Sequence, residues 1–314
     1  MMNENYKVAN AKEEKFKSYR TARIVSKVLA YVFLVILSVI WIFPFVWILG
    51  SAFITNKDGT PSMIMTTFWP TNGKVWSFDN FKHLFTDGWI NPNGGTFDFH
   101  FLKWMWNTLW VACVSCVIST TFTLMVAYVM SKLKFGFRKT YLNIAMIIGL
   151  FPGFMSMIAI YFLLKTIGLT NNLWGLVLCY SAGAGTGFYV AKGFFDVIPN
   201  ALIESAHLDG ATNAQIFWHI ILPMSKPIVI YQALMAFMAP WMDFIFAKVI
   251  LGAGNKGIWT VSVGLYSIMF GSQTDSSVFT VFAAGCVCVA IPIVTLFMFL
   301  QKYYVEGVTA GSVK

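Results

Sequence analysis

The sequence predicts an all-α membrane protein with six transmembrane helices, and three observations lead to this fold class. Of its 314 residues 58% are hydrophobic and only 11% are charged, whereas a soluble domain carries about 25% charged residues. Six apolar runs approach or exceed the roughly 20 residues that a membrane-spanning helix needs. Backbone groups in lipid must be paired internally, and the runs are too long for barrel strands, so helices are expected. The runs lie at 28–50, 104–131, 140–164, 173–191, 228–247 and 278–300.

The basic residues predict how these helices are oriented. Seven Lys or Arg residues precede the first run, and four more fill the short loop between the second and third runs. Because cytoplasmic loops are rich in Lys and Arg, both termini are expected in the cytoplasm. This uneven distribution of the +9 net charge argues against a nucleic-acid partner. The expected organisation is a cytoplasmic tail 1–27, a six-helix transmembrane domain 28–303 and a cytoplasmic tail 304–314.

The first run could also be taken for a signal peptide. It is longer than a typical signal-peptide core, and a long charged tail precedes it, so a retained transmembrane helix is the better interpretation.

Two segments are expected outside the cell. Segment 51–103 is rich in Gly, Pro, Asn, Thr and aromatic residues, which predicts an ordered cap. This cap could be a docking surface for an external protein or a lid without a partner. Segment 252–277 opens with three glycines, which favours a flexible turn, and residues 259–265 could form a short re-entrant or interfacial element.

The sequence contains no recognisable catalytic, cofactor or metal site. Cys113 and Cys116 form a C-x-x-C motif, which can indicate zinc or redox chemistry, but no second pair accompanies it. All five cysteines lie in apolar runs, so packing residues without disulfides are expected. No G-x-x-x-x-G-K-[ST] phosphate loop occurs, and we therefore expect a protein that is not an enzyme and binds no ATP by that route.

The cytoplasmic segment 196–223 is expected to form a helix, a tight turn and a second helix. Pro199 suits a helix start, and the following residues to Asp209 can form a helix. Gly210 can supply the left-handed conformation that ends it. Thr212 and Gln215 fit a capping box for the second helix, which Pro223 is expected to end.

Residues 204–223 resemble the EAA signature of the membrane-spanning subunits of ABC importers. The match reads Glu-Ser-Ala, three residues, Gly, nine residues, Ile-x-Leu-Pro, with Ser205 in place of the first alanine. The resemblance implies that this segment docks on an ATPase. The residues concerned are Glu204, Ser205, Ala206, Asp209, Gly210, Ile220, Leu222 and Pro223. The alternative is an ordinary amphipathic helix pair at the membrane surface.

The residue types suit a docking element. Glu204 offers a carboxylate to an arginine or to amide donors of a partner, and Ser205, Ala206 and Gly210 allow close approach. Leu202, Ile203 and Ala206 could add apolar contacts with that partner. On the second helix, an apolar face is expected to pack against the transmembrane helices; it comprises Ile216, Phe217, Ile220 and Ile221.

Three further stretches resemble the smaller permease subunit of maltose/maltodextrin importers: 193–195, 239–244 and 306–314. The resemblance implies a type I ABC importer permease in the plasma membrane of a prokaryote. Its partners would be two ATPase subunits that hold ATP and magnesium, a second, larger permease, an extracellular solute-binding protein and an oligosaccharide. Related families import other oligosaccharides.

The same resemblance assigns roles outside the docking segment. Gly307, Thr309, Ala310 and Gly311 would contact the ATPase, while Gly254, Trp259 and Gly264 would contact the binding protein.

Asp243 is the acidic residue deep in an apolar run, and such carboxylates are functional candidates. It could contact sugar hydroxyls, with Trp241 as a stacking surface, or it could hydrogen-bond between helices.

Two other protein classes remain as alternatives. An ion-coupled secondary transporter would need more intramembrane ionisable groups and often shows repeats. A channel or scaffold would leave the docking signature without a role.

Overall fold

In the computed structural model, the described residues are 2–62, 70, 73–86, 89–90, 96–97, 99–182, 187–270 and 278–309. Three long helices dominate this part of the chain: α1 (Met2–Ala52), α3 (Phe101–Lys132) and α13 (Phe279–Thr309). They confirm helices at the first, second and sixth apolar runs. The N-terminal residues predicted as a tail continue α1 without a break, and α13 likewise extends into the predicted C-terminal tail.

The apolar part of α1 is exposed over most of its length, up to the contacts of Trp47 and Ile48 with the core. Between Arg23 and Ala52 its most apolar window has none of its residues buried, and large side chains such as Trp41 and Phe45 are about seven-tenths exposed. A helix that is hydrophobic all round belongs in an apolar medium, so lipid is the expected neighbour of α1.

The third predicted run is broken by Pro152. Helix α4 (Arg138–Gly149) and helix α5 (Gly153–Thr166) follow one another with a bend of 100°. Proline lacks a backbone N–H and disfavours helical geometry in the residue before it, which explains the break.

The fifth run is also interrupted, and the described residues of the fourth belong to two helices. Described residues of the fourth form α6 (Leu173–Ala182) and contribute to α7 (Tyr189–Asp196). The fifth forms α10 (Lys226–Met242), which ends at Asp243 before α11 (Ile245–Leu251).

By length and composition, three helices of the described chain can cross a membrane, or five if each of two bent pairs counts as one crossing. The count of six and the orientation of the termini therefore stay predictions.

The predicted external segment adds two pairs of short strands to the mostly helical fold. Strands β1 (Ile54–Asn56) and β2 (Lys74–Trp76) pair antiparallel, as do β3 (Trp89–Ile90) and β4 (Thr96–Phe97). Along the chain, helix α2 (Asp79–Phe85) follows β2 and precedes β3. The buried residue Asn80 joins this cap to the long helices: its amide donates to the carbonyls of Ala52 and Ile54, and its oxygen accepts from Thr280 at the start of α13. The described part of the cap is ordered, and its role as a docking surface stays a prediction.

The buried side chains form two clusters along α3. The cap-side cluster joins the N-terminal half of α3 to α6, α11, α12 (Val261–Phe270) and α13, around Trp104, Leu176 and Val261. The other, which we call the hook cluster, joins the C-terminal half of α3 to α7 and to the predicted docking segment, around Tyr128 and Phe195. Helices α3 and α10 lie side by side, and the Cys116 thiol donates to the Ala233 carbonyl at 3.2 Å.

Candidate functional site

The predicted docking segment forms two short helices, which we call the hook (residues 200–224). Helix α8 (Asn200–Leu208) begins after Pro199, as the sequence indicates, and ends before Gly210, which has φ of +83°. The N–H of Gly210 donates to the His207 carbonyl, and the N–H of Ala211 donates to the Ala206 carbonyl at 2.9 Å. These two bonds form a Schellman motif, which requires a left-handed residue at position 210.

The second hook helix, α9 (Asn213–Met224), begins with the predicted capping box. The backbone N–H of Thr212 donates to Gln215 Oε1 at 2.8 Å, and the Gln215 N–H donates to Thr212 Oγ1 at 3.3 Å. The helix then widens into a π-helical turn over Phe217–Ile221. With both ends of the turn capped internally, the backbone of the hook is largely independent of any partner.

The predicted end of α9 is wrong. Pro223 lies inside the last turn, and the chain breaks at Ser225, where the axes of α9 and α10 differ by 89°. The π-helical turn just before Pro223 changes the hydrogen-bond register there, so the missing N–H of proline does not end the helix.

The apolar face of α9 packs as predicted. Ile216 and Ile221 are fully buried, Phe217 is nearly so, and Ile220 packs against the same cluster. The Phe217 ring lies 5.3 Å from the ring of Tyr128 on α3. The hook is therefore attached to the rest of the molecule by its own hydrophobic face.

The residues predicted to meet a partner divide into two groups. Glu204, Ser205, Asp209, Gly210 and Pro223 are exposed, and Ile220 and Leu222 are half-buried.

Ala206 and Ile203, in contrast, are both 92% buried in the hook cluster, so the expectation that they offer an apolar contact is corrected. They are apolar because α8 needs them for its own packing.

The most exposed apolar residue of the hook was missed. Leu208 is 89% exposed at the apex of the hook, next to Asp209 and Gly210. Its helical phase gives the signal: Ile203 and Ala206 lie on one face of α8, and position 208 points away from it. The turn between the helices also forms a groove of about 410 Å³, lined by Asp209, Gly210, Ala211, Gln215, Ile216, His219 and Ile220.

The predicted substrate residues lie within the chain's own packing. Tyr180 Oη donates to Asp243 Oδ2 at 2.7 Å, the Phe246 N–H donates to Oδ1 at 3.1 Å, and Ser262 Oγ donates to the Asp243 carbonyl at 2.6 Å. Asp243 thus connects α6, α11 and α12, which is the interhelical alternative. Trp241 is 95% buried, and its Nε1 has no hydrogen-bond acceptor among the described residues. A role of either residue in a substrate pathway stays a prediction.

The segment after α11, residues 252–259, is held by side chains rather than flexible; we call it the pinned loop. Trp104 Nε1 donates to the Lys256 carbonyl at 2.7 Å, and the Asn107 amide donates to the carbonyls of Gly257 and Trp259. The Trp259 indole closes the loop by donating to the Gly252 carbonyl at 3.0 Å. The expectation of a flexible turn is wrong because three long side chains satisfy its backbone.

Of the three residues predicted to meet a binding protein, only Gly254 is exposed. Trp259 is 96% buried under the ammonium of Lys248, which lies 4.4 Å from the ring centroid. Gly264 lies inside α12, and a Cβ there would be 2.1 Å from the Trp104 ring. The short element predicted near residues 259–265 is thus the start of a buried helix, and neither Trp259 nor Gly264 offers a surface.

The residues predicted to contact an ATPase at the C-terminus are at the edge of the described chain. Gly307 and Thr309 lie in the last turns of α13, and Ala310 and Gly311 lie outside the described residues.

Comparisons with known proteins place most of the chain in one protein family. Residues 119–309 match the protein family described as "Binding-protein-dependent transport system inner membrane component". The maltodextrin transport system permease protein MdxG of Bacillus subtilis is 35% identical over 94% of this chain and 98% of its own length. The galactooligosaccharides transport system permease protein GanQ of the same organism is 31% identical, over 94% and 98%.

A solved structure shares the fold. A chain in the crystal structure of a bacterial ABC transporter involved in the import of the acidic polysaccharide alginate superposes with a TM-score of 0.74. The match covers 91% of this chain and 98% of that chain at 21% identity.

Proposed function

Because the chain belongs to the family of inner membrane components of binding-protein-dependent transport systems, we propose that it is a permease subunit of an ATP-driven importer of malto-oligosaccharides. The similarity to a maltodextrin permease over nearly the whole of both chains supports this substrate class. The similarity to a galactooligosaccharide permease supports the second candidate, another oligosaccharide carried by the same architecture.

The hook is the observation that carries the mechanism. A transport subunit needs a surface that an ATPase can push, and that surface must not deform when it is pushed. The hook has both properties: its turn is closed by a Schellman motif and a capping box, and its hydrophobic face is buried in its own chain. Glu204 and Asp209 are exposed on it and could form charge-assisted hydrogen bonds with a partner.

In the proposed mechanism, closure of two ATPase subunits displaces the hook, and the transmembrane helices switch between inward-open and outward-open arrangements. ATP and magnesium would be held by the ATPase, and an extracellular binding protein would deliver the sugar. A second, larger permease would complete the pathway. The exposed apolar side chains on α4, on α5 and in the break between them are candidates for contact with it or with lipid; they include Ile147, Phe151, Phe154, Ile158 and Phe162.

The remaining assignments are part of the same proposal. The complex would lie in the cell membrane of a prokaryote with both termini of this chain in the cytoplasm. Gly254, as the exposed member of its group, is the candidate for contact with the binding protein. Gly307 to Gly311 would reach the ATPase.

The substitution Gly210→Asp tests the role of the hook. No atom lies within 4 Å of a Cβ at this position, and aspartate is among the few residues that adopt a φ of +83°, so strain stays within the turn and insertion should be intact. The substitution places a charge beside Asp209 at the apex. We expect loss of both ATPase association and ATP-driven uptake of labelled maltotriose in proteoliposomes.

The matched control for this test is Gly168→Asp. Gly168 also has a positive φ, +73°, and is exposed with nothing within 4 Å of its Cβ, but it lies after α5, outside the hook. It should transport normally. Normal uptake by Gly210→Asp would refute the docking role and favour an ion-coupled transporter. Uptake of galactooligosaccharides but not maltotriose by the unmodified complex would select the second candidate substrate.

A further inference from the structure

We propose that Lys132, the last residue of α3, is a positioning residue that couples the hook to α3, so that displacement of the hook moves this long helix directly. The inference rests on the proposed docking role of the hook and adds the route by which its motion enters the transmembrane helices.

The ammonium of Lys132 binds the residues on both sides of Pro199, where the hook begins. Lys132 Nζ donates to the Ile198 carbonyl at 2.6 Å and to Asn200 Oδ1 at 3.2 Å. A lysine in the last turn of a helix ordinarily serves the carbonyls of that helix. Here the side chain reaches across to the start of α8, although the two residues that it binds are 66 and 68 positions away in the chain.

The neighbouring residue, Ser131, binds the end of α7, from which the chain continues into the hook. Ser131 Oγ donates to Asp196 Oδ1 at 2.6 Å, and Lys192 Nζ contacts Asp196 Oδ2 at the same distance. Asp196 is the last residue of α7, where a carboxylate is disfavoured by the helix dipole. The hydroxyl of Ser131 and the ammonium of Lys192 offset that cost. The last two residues of α3 thus bind both ends of the connection between α7 and the hook.

The C-terminal end of the hook is also connected to α3, by way of α10. Helix α9 continues through Ser225 into α10, and α10 lies along α3, with Cys116 bonded to Ala233. The hook, α10 and α3 therefore form a closed loop of contacts.

The two connections between the hook and α3, one through Ser225 and α10 and one through Lys132, differ in their chemistry. The chain bends by 89° at Ser225, whereas Lys132 and Ser131 supply directional hydrogen bonds. Apolar contacts in the hook cluster can slide, but a charge-assisted bond to a specified carbonyl cannot without breaking. Lys132 is accordingly the contact that fixes the hook in register with α3.

The test is the number of sugar molecules taken up per ATP hydrolysed by the complete complex, reconstituted with its partner permease, ATPase and binding protein. Lys132→Met keeps the aliphatic stem and removes the ammonium. We expect this ratio to fall by about fivefold or more, with the ATPase still bound, since residues along a coupling route change coupling by this order. Lys132→Arg should recover more than half of the ratio.

The matched control is Lys134→Met, which removes a cation from an exposed position two residues away. It should leave the ratio unchanged. A ratio within about twofold of the unmodified complex in Lys132→Met would overturn the inference, since it lies at the bottom of that range. Loss of ATPase binding in Lys132→Met would also overturn it, because Lys132 would then shape the docking surface rather than transmit motion.

The two proposals fail separately. If Gly210→Asp transports normally, the docking role itself is wrong. If Gly210→Asp abolishes uptake and Lys132→Met does not alter the ratio, only the coupling route is wrong.

Discussion

The hook and the pinned loop with α12 both contain a glycine that the fold requires, but for opposite reasons. Gly210 is exposed and has room for a side chain, yet its φ of +83° is a left-handed conformation that only glycine adopts freely. Gly264 has an ordinary helical backbone, yet a Cβ would collide with the Trp104 ring. At Gly210 the hook needs a left-handed backbone conformation, and the surface around this residue stays exposed. At Gly264 the helix after the pinned loop needs a residue without a side chain, because the Trp104 ring packs directly against it.

The side chains of the two regions follow the same division. The hook satisfies its backbone with local bonds and leaves Glu204, Leu208 and Asp209 exposed. The pinned loop uses long side chains from elsewhere, Trp104 and Asn107, to satisfy its carbonyls. An element whose structure is locally complete is free to meet a partner, and this difference is why we assign docking to the hook and a structural role to the buried part of the loop region.

The largest expected effect is that of Gly264→Ala. The added methyl group would lie between 2.1 and 2.6 Å from three atoms of the Trp104 ring, which its bond to Lys256 holds in place. We expect a loss of about 3 kcal/mol in stability, the upper end for overpacking, measured by thermal unfolding of the purified complex. Gly254→Ala, with nothing within 4 Å, is the control. Equal stability of the two variants would show that Trp104 can move.

Asp243→Leu should be nearly as destabilising. It removes the acceptor of the Tyr180 hydroxyl and of the Phe246 N–H at once, which costs about 2–3 kcal/mol for buried donors left unpaired. Asp243→Asn retains one acceptor oxygen and should lose less than half as much. The pair also decides between the two roles of Asp243: a stable Asp243→Asn complex that no longer transports would favour sugar contact over interhelical bonding.

Gly210→Ala should have a smaller effect, confined to the hook. Holding alanine at φ of +83° costs about 1 kcal/mol, which should raise hydrogen exchange at the Gly210 and Ala211 amides. Gly210→Asn should be milder, because asparagine tolerates this conformation. Gly193→Ala in α7, where the backbone is helical and the site is open, should not destabilise at all. If Gly210→Ala were equally neutral, the Schellman turn would not be fixing the hook.

The smallest expected effect is that of Thr212→Ala, which removes the hydroxyl of the capping box. Caps of this kind contribute between about 0.5 and 1 kcal/mol, so exchange at Gln215 should rise while uptake stays close to normal. Thr212→Ser, which keeps the hydroxyl, is the control. Loss of transport in Thr212→Ala alone would mean that residue 212 contacts a partner directly.

The sequence predicted the hook well because its determinants are local. Pro199, Gly210, Thr212 and Gln215 act through bonds within a few residues, and each acts as expected. The end of α9 was mispredicted because a π-helical turn over Phe217–Ile221 precedes Pro223, so the hydrogen-bond register has already changed where the proline N–H is missing.

The exposed or buried state of single residues was harder to predict. Ala206 and Trp259 carry no local sign of burial; it depends on which helices pack against them. The bonds from Lys132 to the start of the hook join positions more than 60 residues apart, and no pattern in either segment indicates the other. The short strands of the cap likewise depend on pairing between segments.

By itself, the sequence determined that this chain is a helical membrane protein. It also determined that the hook consists of two helices joined by a turn at Gly210, because hydropathy and helix ends depend on composition and near neighbours. Only the tertiary structure decided that Ile203 and Ala206 of α8 are buried, that Asp243 joins three helices, and that the pinned loop is closed. Those outcomes depend on side chains that meet across long separations, where hydrogen bonds and close packing are specific to the assembled helices.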